Sequence, residues 1–245
     1  MNTCESLRDD LSELPIAKVS AVMLHASLRK IGPIQGGPEV LLDVILELLP
    51  EDSPLLMPLG SNDNEPFNAK TSPAEVEIGA LAEIFRRRKD TIVNDHVAGR
   101  FGAIGKGGEY LLNPTPLHDY LGPGSVLERF TQINGSVLRI GADLDTVTLT
   151  HYAEYLADIP NKKRVTRSYQ RADIGDQEIE SLDDSDGIVA WSGGDYFSQI
   201  LIEFLNSGQV LIGKVGEARA ELFEAQSFVR FSVDWLESNF KKLNL

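Results

Sequence analysis

The chain has 245 residues, 42% of them hydrophobic, and carries a formal net charge of −14 with a pI of about 4.7. That is enough chain for one large α/β domain or two small ones around a real core. The charge argues against nucleic acid or an anionic membrane as partner and favours a cationic ligand, while a single cysteine, Cys4, leaves no internal disulfide and points to a reducing cytoplasm.

The first residues, MNTCESLRDDLSEL, carry neither a basic n-region nor an apolar h-region, and no later apolar run approaches the ~18 residues of a membrane span. No internal repeat, heptad array or Pro/Gly/Ser linker divides the sequence. After an N-terminal helical segment, residues 19–25 (VSAVMLH) read as a buried strand and residues 27–37 (SLRKIGPIQGG) as the loop leaving it, the place where α/β folds put ligands. Gly36 and Gly37 precede Pro38 and a helical stripe of Val40, Leu41, Val44, Ile45 and Leu48. A helix start of this kind suits a phosphate through its unpaired N–H groups; a tight loop would need the same glycines.

A second strand over residues 55–59 runs into a polar loop, 60–72, with Asp63 and Glu65, which could hold a cation or simply be solvated. Ser72 to Glu75 has the form of a capping box opening an amphipathic helix through Ile78, Leu81, Ala82 and Phe85. The basic run Arg86 to Lys89 suits its C-terminus. His96 lies in a loop or strand leading through residues 101–104 into a short helix. The four histidines, His25, His96, His118 and His151, have no metal-ligand spacing, so no metal is expected. Ser125 and Glu128 form a second capping box after a Gly-Pro-Gly turn.

Residues 136–141 (SVLRIG) read as a compact strand, followed by an acidic loop with Asp143 and Asp145 and by the helical stretch 146–160 (TVTLTHYAEYLADIP). At ~100° per residue, Leu149, Tyr152, Ala153 and Leu156 share one face, and His151, Glu154, Tyr155 and Asp158 share the opposite, polar one. A histidine beside a carboxylate can act as a general base; an ordinary histidine on a solvated face gives the same pattern. Residues 161–190 are expected as an exposed insert, basic at first and then a solvated acidic run over 173–186. A turn at 191–195 precedes a helix over 196–206, then a strand over 210–215 and a closing helix over 225–240.

Several of these pieces together resemble the aminoglycoside 3-N-acetyltransferases, which use acetyl-CoA to acetylate a deoxystreptamine amine. The matching pieces are HASLRKIGPIQGGPEVLLDVILELL, EPFNAKTSP, GPGSVLERF with NGSVLRIGADLDTVTLTHYAEYLADIP, and GKVGEARAELF, in the family's order over most of the chain. The resemblance implies a single domain over residues 1–245 with a mixed β-sheet between helices, the antibiotic N-acetyltransferase fold, which is distinct from the GNAT fold. In the Thr148-x-x-His151-x-x-Glu154 pattern it implies that His151 is the catalytic base, supported by Glu154 or Asp195. It further implies that Ser27, Leu28, Lys30, Gly36, Gly37, Val40, Ser125 and Val126 contact CoA, while the negative charge of the chain points to Asp63, Glu65, Asp143 and Asp145 as groups that attract the cationic substrate. The chain departs from the family in two places, a short stretch over 172–196 and a valine after His96. From another class, a non-catalytic binder of polyamines or other cationic metabolites would also fit the charge; CoA binding separates the two.

Overall fold

The computed structural model describes residues 1–61, 65–185 and 187–241. Its frame is a seven-stranded mixed sheet in the order β3-β4-β2-β1-β5-β9-β8. Three strands form the parallel centre, β1 (Val22–Ala26), β2 (Leu55–Pro58) and β5 (Ser136–Ile140). Buried on both faces, they are short apolar runs rather than alternating ones. Antiparallel strands extend the sheet on either side: β4 (Phe101–Ile104) and β3 (Ile92–Val93) beyond β2, β9 (Ala218–Glu224) and β8 (Leu211–Val215) beyond β5.

Helices cover both faces. On one, α1 (Cys4–Ser12), the one-turn α2 (Leu28–Ile31), α3 (Glu39–Leu48) and α4 (Ala80–Arg87) bury Leu7, Ile31, Leu41 and Phe85 against Val22, Leu24 and Leu138. On the other, α5 (Gly108–Leu112), α6 (Val126–Gln132), α7 (Leu149–Leu156), α8 (Tyr196–Leu205) and α9 (Ala225–Phe240) bury Leu111, Leu127, Leu149, Phe204 and Phe228 against Met23, Val137 and Phe223. From β1 the chain goes to β2 on one side and later to β5 on the other, so a crevice opens at the carboxyl ends of these strands. Among the described residues, no helix is long and apolar enough to cross a membrane.

Three local expectations are corrected, and one strand is not foreseen. The loop over 27–37 contains α2. Ser72 starts no helix: its hydroxyl accepts from Asn68 N at 2.9 Å, and α4 begins only after Gly79, whose φ of 109° no side-chain-bearing residue adopts readily. The expected solvated insert is an antiparallel ribbon of β6 (Arg164–Arg171) and β7 (Gly175–Leu182), ordered because alternate residues such as Ile179 face inward and are buried. Strand β9 escaped prediction because its Arg219, Glu221 and Glu224 mask the apolar pattern; Glu221 is nevertheless buried, neutralised by Arg139 on β5.

Candidate active site

Helix α7 enters the crevice by way of the loop 142–146, and Arg139 holds that loop. This buried guanidinium donates to the carbonyls of Ala142 (3.2 Å), Asp143 (2.6 Å) and Thr146 (3.2 Å) and pairs with Glu221. The packing face of α7 follows Leu149, Tyr152 and Ala153 as expected, but Leu156 is 43% exposed and Glu154 only 1% exposed. At Glu154 the polar face therefore does not meet water, although Asp158 at its far end is exposed. Glu154 is covered by α8, whose Tyr196 hydroxyl donates to Glu154 Oε1 and accepts from Ile188 N at 3.1 Å.

The other oxygen of Glu154, Oε2, lies 3.0 Å from His151 Nδ1, so carboxylate and imidazole form a fixed dyad. A tautomer with the proton on Nδ1 satisfies that contact and leaves Nε2 with its lone pair. Phe197 packs edge-on against the imidazole at 4.9 Å. Burial of His151 works against its protonation, yet the hydrogen bond and charge of Glu154, helped by Asp184, outweigh it and raise the pKa. For Tyr196, burial and then the same carboxylate push the phenol well above its ordinary range, so it remains a donor.

Three connected spaces surround the dyad. A cleft of about 670 Å³ at the strand ends is lined by Ser27, Leu28, Arg29, Pro58, Asp143 and His151. A pocket of about 540 Å³ is lined by His151, Glu154, Asp183, Asp184, Asp195 and Tyr196. Asp145, His151 and Phe197 are common to both. An outer groove of about 790 Å³, with Glu65, Phe67, Glu75, Glu77 and Tyr169, joins the pocket through Asp184 and Ser185. His151 thus sits between the cleft, lined by Arg29 but also by Glu75, Glu77, Asp143 and Asp145, and the carboxylates of the pocket and groove.

The sequence-derived site residues divide accordingly. His151, Glu154, Ser27, Leu28, Asp143, Asp145, Asp195 and Glu65 all line this system, and Asp63 lies outside the described residues. Asp195 does not touch the histidine network: it is the N-cap of α8, accepting from Phe197 N at 2.9 Å and Ser198 N at 3.1 Å. Lys30 and Asp143, expected on different ligands, pair with each other at 2.6 Å. Gly36, Gly37 and Val40 precede or begin α3 and line none of the three spaces; both glycines have positive φ, 87° and 94°. Ser125 and Val126 line none of the three spaces either. Both are fully buried and away from the cleft, and the Ser125 hydroxyl caps α6 by accepting from Leu127 N and Glu128 N.

Of the other histidines, His96 is a loop brace. Its Nδ1 accepts from Gly99 N at 2.7 Å, Nε2 lies 3.1 Å from Leu117 O, and burial lowers its pKa. His25 is buried at the end of β1 and lines the strand-end cleft. Burial, then the charge of Arg139, hold it down to about 3, so it is neutral. His118 Nδ1 accepts from Glu180 N at 3.1 Å. Among the described residues, no group of three His, Cys, Asp or Glu is placed to hold a metal ion. The sequence reading missed Tyr196, 42 positions from its partner Glu154, and Arg139, although a cation inside the apolar run SVLRIG required a buried partner.

The family model for aminoglycoside 3-N-acetyltransferase matches residues 23–237. An aminoglycoside N(3)-acetyltransferase III from Serratia marcescens is 33% identical, the alignment covering 98% of this chain and 99% of the relative. Among solved structures, AAC-IIIb as a binary with CoASH superposes with a TM-score of 0.92 at 32% identity, over 97% of each chain. AAC-VIa bound to sisomicin does so with a TM-score of 0.89 at 30% identity, over 97% of this chain and 98% of that one.

Proposed function

Since the chain belongs to the aminoglycoside 3-N-acetyltransferase family, we propose that it moves the acetyl group of acetyl-CoA onto the 3-amino group of the deoxystreptamine ring of an aminoglycoside, directly and with His151 as general base, and so confers antibiotic resistance. The observation that carries this reading is the place of His151. It stands where the strand-end cleft meets the carboxylate pocket, with Glu154 behind Nδ1 and Nε2 left to act.

An aliphatic amine is an ammonium at neutral pH and must lose a proton before its nitrogen can attack. His151 Nε2 takes that proton, and Glu154 stabilises the imidazolium that results. The freed nitrogen bonds to the thioester carbonyl carbon and sheds its second proton as the carbon–sulfur bond breaks, the CoA sulfur leaves with the electron pair and takes up one proton, and the imidazolium returns the other to solvent. No acyl-enzyme is required, because the thioester is already activated. Ser27 and Leu28 are assigned to the acetyl-CoA side within the cleft, and Lys30, Gly36, Gly37 and Val40 to its phosphates. The remaining ammonium groups of the antibiotic are assigned to the carboxylates around the base, with Glu65 in the outer groove, Asp145 at the pocket and Asp143 in the cleft as proposed contacts.

Mass spectrometry of sisomicin after incubation with the protein and acetyl-CoA should show the gain of one acetyl group, placed on the 3-amine by fragmentation. An unmodified antibiotic, with no heat of CoA binding in a calorimeter, would leave a simple binder of cations instead.

A further inference from the structure

The carboxylate pocket and the outer groove are lined by eight acidic side chains and, among their described residues, a single Arg or Lys, Arg167. This residue lies on the inward face of β6, opposite Ile179. Its guanidinium does not float in solvent. Nη1 donates to Asp184 Oδ1, and Nη2 donates to Asp183 Oδ1 at 3.2 Å and to Ser185 Oγ at 3.0 Å. The second oxygen of Asp184 accepts from the Tyr120 hydroxyl at 2.5 Å. Both carboxylates are largely buried, their side chains 10% and 23% exposed. Asp184 and Ser185 are also the residues through which the pocket and the groove join. A cation held on two carboxylates at the junction of an acidic channel stands where a mobile ammonium would otherwise be most stable.

We propose that Arg167 is a specificity-determining residue, whose guanidinium fills a cation subsite formed by Asp183 and Asp184 and so limits how many ammonium groups of a polycationic substrate the groove can pair. This rests on the reading of the groove as the aminoglycoside side of the site. Being tethered, the guanidinium competes at a high effective concentration, so a substrate ammonium gains nothing by reaching Asp184. The alternative role, a clasp that only ties the β6–β7 ribbon to the 183–185 loop, makes the opposite prediction. Loss of a clasp loosens the groove and weakens binding. Loss of an occupant adds one net negative charge and strengthens it.

Calorimetric titration of sisomicin, and separately of spermidine, into the protein without acetyl-CoA tests the point in the wild type, Arg167→Ala and Arg167→Lys. Arg167→Ala should bind both cations more tightly, on the order of tenfold, with a steeper dependence on salt, and Arg167→Lys should stay near the wild type. Unchanged or weaker binding by a folded Arg167→Ala protein would overturn the inference. If that variant does not fold, Arg167→Gln keeps hydrogen-bonding capacity without the charge and serves in the same comparison. Failure of both to fold would also overturn it, since the guanidinium would then belong to the fold rather than to a fillable subsite. A wild type that acetylates nothing would defeat the proposed reaction but leave the spermidine comparison to judge Arg167.

Discussion

His151 differs from a surface histidine in one respect that an experiment can read, the buried carboxylate bonded to its Nδ1. Replacing it by alanine should lower turnover ~100-fold or more while leaving CoA binding, followed calorimetrically, intact. Wild-type turnover by His151→Ala would remove it from the mechanism. The pH dependence carries a sign. A base works only when neutral, so the rate should rise with pH through the His151 pKa, and because Glu154 outweighs burial and raises that pKa, the acid limb should lie above the ordinary imidazole value of about 6.5. Glu154→Gln should move the limb to lower pH and reduce turnover; a limb that stays in place would mean that another group titrates. For stability the same shift acts in the opposite range. The pairing of protonated His151 with Glu154 stabilises the fold fully below the unfolded-state pKa, and that contribution is lost as pH rises through the raised folded-state value.

Helix α8 shows how an element places chemistry that its own sequence does not announce. It supplies the Tyr196 hydroxyl to Glu154 and the Phe197 ring to His151, and Asp195 fixes its first turn. Asp195→Ala should cost about 1 kcal/mol of stability in a denaturant melt, the usual worth of such a cap, and lower turnover by loosening Tyr196. Asp195→Asn preserves the cap and should behave nearly as the wild type. If instead the asparagine variant melts normally but loses turnover, Asp195 acts on His151 through its charge. The sequence made the bounds of α9 and the existence of α3, α7 and α8 legible, because their apolar residues recur at helical spacing. The same reasoning went wrong at Ser72, whose hydroxyl closes a local turn, and missed β9, whose Glu221 is paired with Arg219 on its own strand and with Arg139 across the sheet. It placed His151 and Glu154 together through their i, i+3 spacing but left open whether that face met water or a cleft, since the cover comes from a tyrosine 42 positions away.

At the scale of the molecule, the net charge of −14 is felt around His151, along Glu65, Asp183 and Asp184 in the groove and pocket and along Glu75 and Glu77, which the groove shares with the cleft. The Michaelis constant for an aminoglycoside should therefore rise with ionic strength, and Glu65→Gln should raise it with little change in turnover. A constant indifferent to both salt and Glu65→Gln would place the antibiotic elsewhere. The strand-end cleft and the carboxylate pocket share only Asp145, His151 and Phe197, so the base stands in a common wall with a space on each side, while the outer groove and the cleft adjoin at Glu75 and Glu77. Neither reactant has to vacate its place for the other to enter, and a dead product on one side does not bar the opposite side. Initial rates with both substrates varied should give intersecting double-reciprocal lines, with CoA competing against acetyl-CoA but not against the antibiotic. Parallel lines would mean instead that the two reactants take turns in one chamber.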